Sequence, residues 1–321
     1  MDALYQFGIR FIQSIQTLSP ALDGIMNIGS IIGDPEFFLI LFPLIYWTID
    51  RRIGIRTFLV MIYLDLIIVS LKILFHEPRP YWIGGVKELS AEGIYGIPSS
   101  HAGRTLAVSG YLAARVKRNW FWAIIILYIL FVGFSRMYLG LHFPHDVLGG
   151  WLVGALVIWA VTKWDGSVRG WLKDKPISTQ IGLGFLESMG FVLIGYIVRL
   201  SVAGVLDPAE WREYAAEART ITHFFSLAGA VFGMLAGYTL MRKYASFNPK
   251  GNWTKRGIRY LLGIVGLLVL YFGLDLAFSA ITPDETTLGY ILRYTRYSLA
   301  TFWVAFLAPW LFLKTNLALP E

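Results

Sequence analysis

A chain of 321 residues that is 56% hydrophobic and 15% charged, with mean hydropathy +0.58, is too apolar for a soluble fold and reads as a membrane protein. It has no cysteine, so disulfides and thiolate metal sites are excluded. Its net charge of +7 has an ordinary source in basic cytoplasmic loops, which must be considered before any anionic partner.

Residues 1–18 mix apolar side chains (Leu4, Phe7, Ile9, Phe11, Ile12, Ile15) with polar ones at helical spacing, without a basic segment followed by a clean apolar block. They are expected to form an interfacial helix and not a cleavable signal. Apolar runs follow around residues 37–47, 58–75, 102–114, 121–134, 147–161, 181–198, 224–241, 258–280 and 299–312. The expected fold is therefore all-α, a polytopic membrane bundle of about nine transmembrane helices. Asp65, Glu187 and Asp275 lie in or near these spans and are expected to be buried, hydrogen-bonded partners.

Alternate loops differ in charge. One set carries Arg51, Arg52 and Arg56, then Arg115, Lys117 and Arg118, and the basic loops further on to Lys314, and is assigned to the cytoplasm. The opposite set holds Asp207, Glu210, Glu213, Glu217, Asp284 and Glu285. The N-terminus is expected outside and the C-terminus inside, in a multi-pass protein of the cell inner membrane. Residues 1–164 are expected to hold all the chemistry, and residues 165–321 to add four further spans.

On the acidic face three clusters of polar residues interrupt the apolar pattern: Lys72 with Arg79-Pro80, then Pro98-Ser99-Ser100-His101, then Ser135-Arg136 through His142, His145 and Asp146. Ionisable groups at span ends are costly unless they pair or do chemistry. Lys72, Arg79 and Arg136 suit a phosphate, to which Arg offers a bidentate fork and Lys a point charge. Ser99 and Ser100 open a helix whose free N–H groups form an anion site, and plain capping is an equal reading for Ser100. Asp146, four residues after His142, can fix one ring nitrogen and leave the other to attack, while His101 serves as general acid. His145 has three readings: second acid, hydrogen-bond partner or interface residue. His101, His142, His145 and Asp146 could also be metal ligands, but three cations in the same site would repel a divalent ion. No metal or other cofactor is expected.

These motifs resemble the three-part signature of the type 2 phosphatidic acid phosphatase (PAP2) superfamily, with six residues between Lys72 and Arg79, five between Arg136 and His142, and three between His142 and Asp146. The resemblance implies that His142 forms a phosphohistidine, Asp146 orients it, His101 is the acid, and Lys72, Arg79, Ser99 and Arg136 hold the phosphoryl group. The superfamily's usual Gly at the third position of the second motif is Ser100 here. Lys72-Ile73-Leu74-Phe75, Arg79-Pro80-Tyr81-Trp82 and Leu141-His142-Phe143-Pro144-His145, with the nine-span layout, resemble the glucose-6-phosphatase branch. Asp146 stands where that branch has Gln, as in lipid-directed members, and Tyr95 to His101 is similar to sphingosine-phosphate and dolichyl-diphosphate phosphatases. The expected substrate is a lipid phosphate or isoprenyl diphosphate, with a sugar phosphate as the alternative and a non-catalytic phosphate-lipid binder or transporter as the other. Tyr81 and Trp82, with His145, are expected to line the substrate, either at an acyl entrance or stacked on a sugar ring. Expected partners are this phosphorylated substrate and membrane lipids, not nucleic acid.

Overall fold

The computed structural model describes residues 3–321, and among them the only strand-like pairing is a single bridge between Phe247 and Pro320. The helices are α1 (Ala3–Gln16), α2 (Asp23–Ile31), α3 (Pro35–Thr48), α4 (Arg51–Phe75), α5 (Ser100–Arg104), α6 (Gly110–Val116), α7 (Asn119–Tyr138), α8 (Pro144–Leu172), α9 (Ile177–Ser201), α10 (Thr222–Tyr244), α11 (Trp253–Ser279), α12 (Thr287–Phe302) and α13 (Ala308–Lys314). A π turn over Thr105–Ser109 joins α5 to α6, and another over Trp303–Leu307 joins α12 to α13. Among the described residues seven helical stretches are long and apolar enough to cross a membrane, and an eighth arises if α2 and α3, bent by 51°, count as one span. The expected nine is thus approximate. The difference lies in residues 100–116, too short to pass as a span by length, whose Ala102, Ala107, Val108, Tyr111 and Ala113 are buried in protein.

The chain divides into two compact units. The first comprises Met1–Phe38, Tyr63–Thr162 and Ile197–Thr220. In it α7 turns Ile124, Leu127 and Leu130 outward and Ile125, Ile129, Val132 and Arg136 inward. This is a lipid-facing helix with one protein-facing stripe. Gln16 at the end of α1 donates to the carbonyls of Lys87 and Tyr138, each at 2.9 Å, so the first helix is tied to the loop after α4 and to the end of α7. Asp65 accepts from Arg104 Nε at 2.7 Å, a part-buried pair.

The second unit comprises Leu39–Ile62, Lys163–Tyr196 and Ile221–Glu321. Trp47 Nε1 donates to Val304 O at 2.9 Å and Tyr46 OH to Ala305 O at 3.1 Å, locking the end of α3 to the π turn. Arg56 pairs with Asp165 at 2.7 Å, and Arg296 pairs with Asp275. Asp275 is partnered as expected but is half-exposed, not buried, because it lies near the C-terminal end of α11 while Arg296 carries the buried side of the pair.

One close approach sets the geometry of the first unit. A Cβ on Gly150 of α8 would lie 2.3 Å from the Ser99 carbonyl, so only glycine lets α8 meet the start of α5. The Asp146 carbonyl accepts Ser99 N–H at 2.9 Å, four residues earlier on α8. Gly150→Ala is therefore expected to lower stability by about 1–3 kcal/mol and to reduce any activity that depends on this packing. The check is thermal unfolding in detergent, with Gly149→Ala, whose Cβ meets nothing closer than 3.5 Å, as the neutral control.

Candidate active site

All three polar clusters converge within the first unit. His142 lies in the short turn between α7 and α8, where Gly140 takes φ +79° and the N–H groups of Leu141 and His142 donate to the Arg136 carbonyl. Its Nδ1 lies 3.2 Å from Asp146 Oδ2, which also accepts Phe143 N–H at 2.9 Å. The i,i+4 spacing across the first turn of α8 produces this contact, and the carboxylate is favoured there by the helix N-terminus. The Nε2 of His142 lies 3.2 Å from Arg79 NH1. A guanidinium can only donate, so Nε2 is the acceptor and Nδ1 carries the proton given to Asp146. The imidazole is thus held in one tautomer with its lone pair facing the cations.

Arg79 is fully buried. Its Nε donates to Ile94 O at 2.6 Å, NH1 to Leu141 O at 2.9 Å, and NH2 to Glu92 Oε2 at 2.5 Å. Lys72, in the last turn of α4, donates to the carbonyls of Tyr95 and Gly96 at 2.6 and 2.7 Å. Arg136, near the end of α7, donates to Ser30 Oγ and to Glu92 Oε1, while its buried Nε has no partner among the described residues. Ser99 is the N-cap of α5 and accepts Ala102 N–H at 3.5 Å, and Ser100 follows as the first residue of the helix. His101 Nε2 lies 2.6 Å from Asp34 Oδ1, which stands between α2 and α3. Among the described residues no group of three or more His, Cys, Asp or Glu stands together as a metal site.

Burial, and after it the charges of Arg79, Lys72 and Arg136, hold the His142 imidazole well below the usual histidine range. Burial by itself would raise the Glu92 carboxyl, but Arg79 and Arg136 overcome it and hold it well below the usual carboxylate range. At neutral pH the site therefore contains a neutral His142 and a charged Glu92 beside Arg79, Arg136 and Lys72. That combination offers a nucleophile beside an anion seat.

Two sequence expectations change. Tyr81 and Trp82 do not line an opening: they are 7% and 3% exposed and pack in an aromatic core in which Trp82 stacks on Tyr214 at 12° and packs against Trp211. The Tyr81 hydroxyl instead donates to Glu92 O and accepts Glu92 N–H, both at 2.8 Å. His145 stacks on Phe143 with its Nε2 3.3 Å from Asp146 Oδ1, so its contact is to the orienting carboxylate. Ser30, Asp34 and Glu92 escaped sequence reasoning. Glu92 had a signal, a carboxylate in the loop between the first two polar clusters, whereas Asp34 read only as a helix start before Pro35. Tyr95, pushed up to about 12 by burial, is fixed by Asp207 at 3.0 Å and Arg219 at 2.7 Å, which anchors the loop whose carbonyls hold Lys72.

The chain is similar to known proteins along most of its length. The PAP2 superfamily model matches residues 54–169, and the model of the PAP2 superfamily phosphatase transmembrane extension matches residues 225–320. Glucose-6-phosphatase 3 of Bos taurus is 26% identical over 97% of this chain and 96% of its own length. Glucose-6-phosphatase 2 of Homo sapiens is 25% identical over 92% of each. Lipid phosphate phosphatase delta of Arabidopsis thaliana is 26% identical over 90% of this chain and 71% of its own length. No solved structure matches.

The depressed His142 value gives a pH expectation. A nucleophile must be neutral, and neutral His142 is lost only as pH falls through its lowered value, so this group should leave kcat/KM flat from pH 7.5 to below 6.5. A pH profile corrected for substrate ionisation tests this, and an acid limb of the enzyme at or above 6.5 would contradict it.

Proposed function

This chain belongs to the PAP2 superfamily of membrane phosphatases, and we propose that it cleaves phosphate esters by transferring the phosphoryl group to Nε2 of His142. The hydrogen-bonded pair of Arg79 and His142 at 3.2 Å carries this reading, because it sets the attacking lone pair beside the phosphate-binding cation. In the first step the N–P bond forms, the ester P–O bond breaks, and His101 protonates the departing oxygen. The phosphohistidine is then a cation whose Nδ1–H is stabilised by Asp146. In the second step His101 takes a proton from water, the hydroxyl oxygen attacks phosphorus, and the N–P bond breaks to release phosphate and neutral His142. Charge spreading over the equatorial oxygens is met by Lys72, Arg79, Arg136 and the N-terminus of α5, with Ser99 and Ser100 beside it. Asp34 positions His101 by holding Nε2, leaving Nδ1 to carry the transferred proton. These cations supply the positive charge a metal ion would, so chelators are expected to leave activity intact. On this division residues 1–164 supply the reacting groups and residues 165–321 the further helices.

The substrate we propose is a membrane lipid phosphate or isoprenyl diphosphate. α2 supports it: Ile25, Ile28 and Ile31 face outward, while Ser30 touches Arg136 and the following Asp34 touches His101. One helix thickness therefore separates the anion seat from an apolar surface at headgroup depth. A second reading, a glucose-6-phosphatase-like activity, is favoured by the alignment with glucose-6-phosphatase 3 over nearly the whole of both chains. Phosphate release from lipid phosphates in mixed micelles and from glucose 6-phosphate, with and without chelator, separates the two. We expect higher kcat/KM for the lipids, inhibition by vanadate, no turnover by His142→Ala, and a loss of about 10²–10³ in Arg79→Ala or Arg136→Ala. Higher efficiency on the sugar phosphate would reverse the substrate assignment, and near-native turnover by His142→Ala would remove the mechanism.

We further propose that the site faces the non-cytoplasmic side of the cell inner membrane, with the N-terminus outside and the C-terminus inside. The loop charges support this, and so does the contact of Arg79 with His142. Since α4 and α7 both end at the site, residues 100–116 must carry the chain back across between them, and as a helix they reach about 25 Å. Single-cysteine reporters in this cysteine-free chain test the orientation. An impermeant thiol reagent on intact cells should label Glu88→Cys and spare Arg118→Cys, and the reverse pattern would invert the topology.

A further inference from the structure

Glu92 occupies a position that the hydrolytic scheme does not use. Its two carboxylate oxygens are divided between the two buried guanidinium groups, Oε2 on Arg79 and Oε1 on Arg136. A phosphoryl group bound by those arginines needs the same donors. Arg79 and Arg136 are 0% and 1% exposed at the side chain, whereas Glu92 is 25% exposed, so the carboxylate has a way out to water that the arginines lack. The buried Nε of Arg136 has no partner among the described residues beside this bridge. A two-oxygen carboxylate leaves that donor idle, and a phosphate with a third oxygen can take it.

We propose that Glu92 is a resident anion in the phosphate seat, which the substrate's phosphoryl group must displace and which returns to help expel product phosphate. The inference rests on reading this site as that of a phosphatase and adds to it a residue that sets affinity for the phosphoryl dianion. Two physical demands meet in one side chain. With no substrate bound, unpaired guanidinium groups at this burial would be strongly unfavourable, and Glu92 neutralises them. With substrate bound, the doubly charged phosphoryl group outcompetes a single carboxylate charge, and Glu92 rotates towards solvent. Afterwards the same competition weakens binding of inorganic phosphate, the end product. Tyr81 holds the device in register, since its hydroxyl bonds both the N–H and the carbonyl of Glu92.

The test is titration of the full chain in detergent with inorganic phosphate and with vanadate by calorimetry. Glu92→Gln keeps the shape and removes the charge, and Tyr81→Phe removes only the hydroxyl that fixes the Glu92 backbone. Glu92→Gln is expected to bind phosphate about tenfold or more tightly than the unsubstituted chain, and Tyr81→Phe to shift affinity in the same direction by less. Unchanged or weaker phosphate binding by a Glu92→Gln chain with native elution and thermal midpoint would mean that Glu92 merely scaffolds the arginines, and would overturn the proposal. If Glu92→Gln fails to fold, Tyr81→Phe decides alone: tighter phosphate binding supports displacement and equal or weaker binding refutes it. Ester hydrolysis is assayed in parallel. A chain that hydrolyses nothing would remove the phosphatase reading, while the phosphate titration would still decide whether Glu92 competes for the seat.

Discussion

Three cations buried at one end of an apolar bundle are the constraint around which the first unit is built. Taking each from water costs several kcal/mol unless carbonyls and anions replace the lost hydration, and Lys72, Arg79 and Arg136 are at most 3% exposed. Folding the loop after α4 back over them meets this demand. Ile94, Tyr95 and Gly96 turn their carbonyls to Arg79 and Lys72, and Glu92 neutralises the two arginines. That loop is itself fastened by Tyr81, by Gln16 on Lys87, and by the Tyr95, Asp207 and Arg219 group from the segment before α10. Distant parts of the sequence are thus recruited to keep charge in a place where a phosphate can use it.

The chemistry follows from the same charges. Burial, and after it the charges of Arg79, Lys72 and Arg136, keeps the His142 imidazole neutral, and a neutral imidazole is what the proposed attack on phosphorus requires. Asp146 is close enough to orient Nδ1 and, in the proposed attack through Nε2, to stabilise the charge that develops on the ring. His101 has its own carboxylate partner, Asp34. In the proposed scheme two histidines with two different acidic partners serve as nucleophile and acid without any difference in residue type. α2 matters to both the charge and the surroundings of the site, because it contributes Ser30 on its inner side and an isoleucine stripe on its outer side.

The sequence alone determined the membrane-embedded helical class, the three motifs, and those contacts whose partners lie within one helical turn. His142 with Asp146 and the Ser99 cap follow from i,i+4 and i,i+3 geometry, which needs no knowledge of the rest of the chain. Tertiary structure decided the contacts that cross loops. Asp34 reaches His101 over 67 positions and Glu92 reaches Arg136 over 44, and no periodicity links residues so far apart. It also decided that Tyr81 and Trp82 fill a core instead of lining an entrance. An interfacial aromatic and a buried one look alike in sequence, and only the arrival of Trp211 and Tyr214 from the segment between α9 and α10 covers them. Residues 100–116 illustrate the same limit, since a helix sheathed in protein can be shorter than one that faces lipid along its length. Local geometry is written in residue order, whereas the pairing of buried charges is settled by which loops the packed helices bring together.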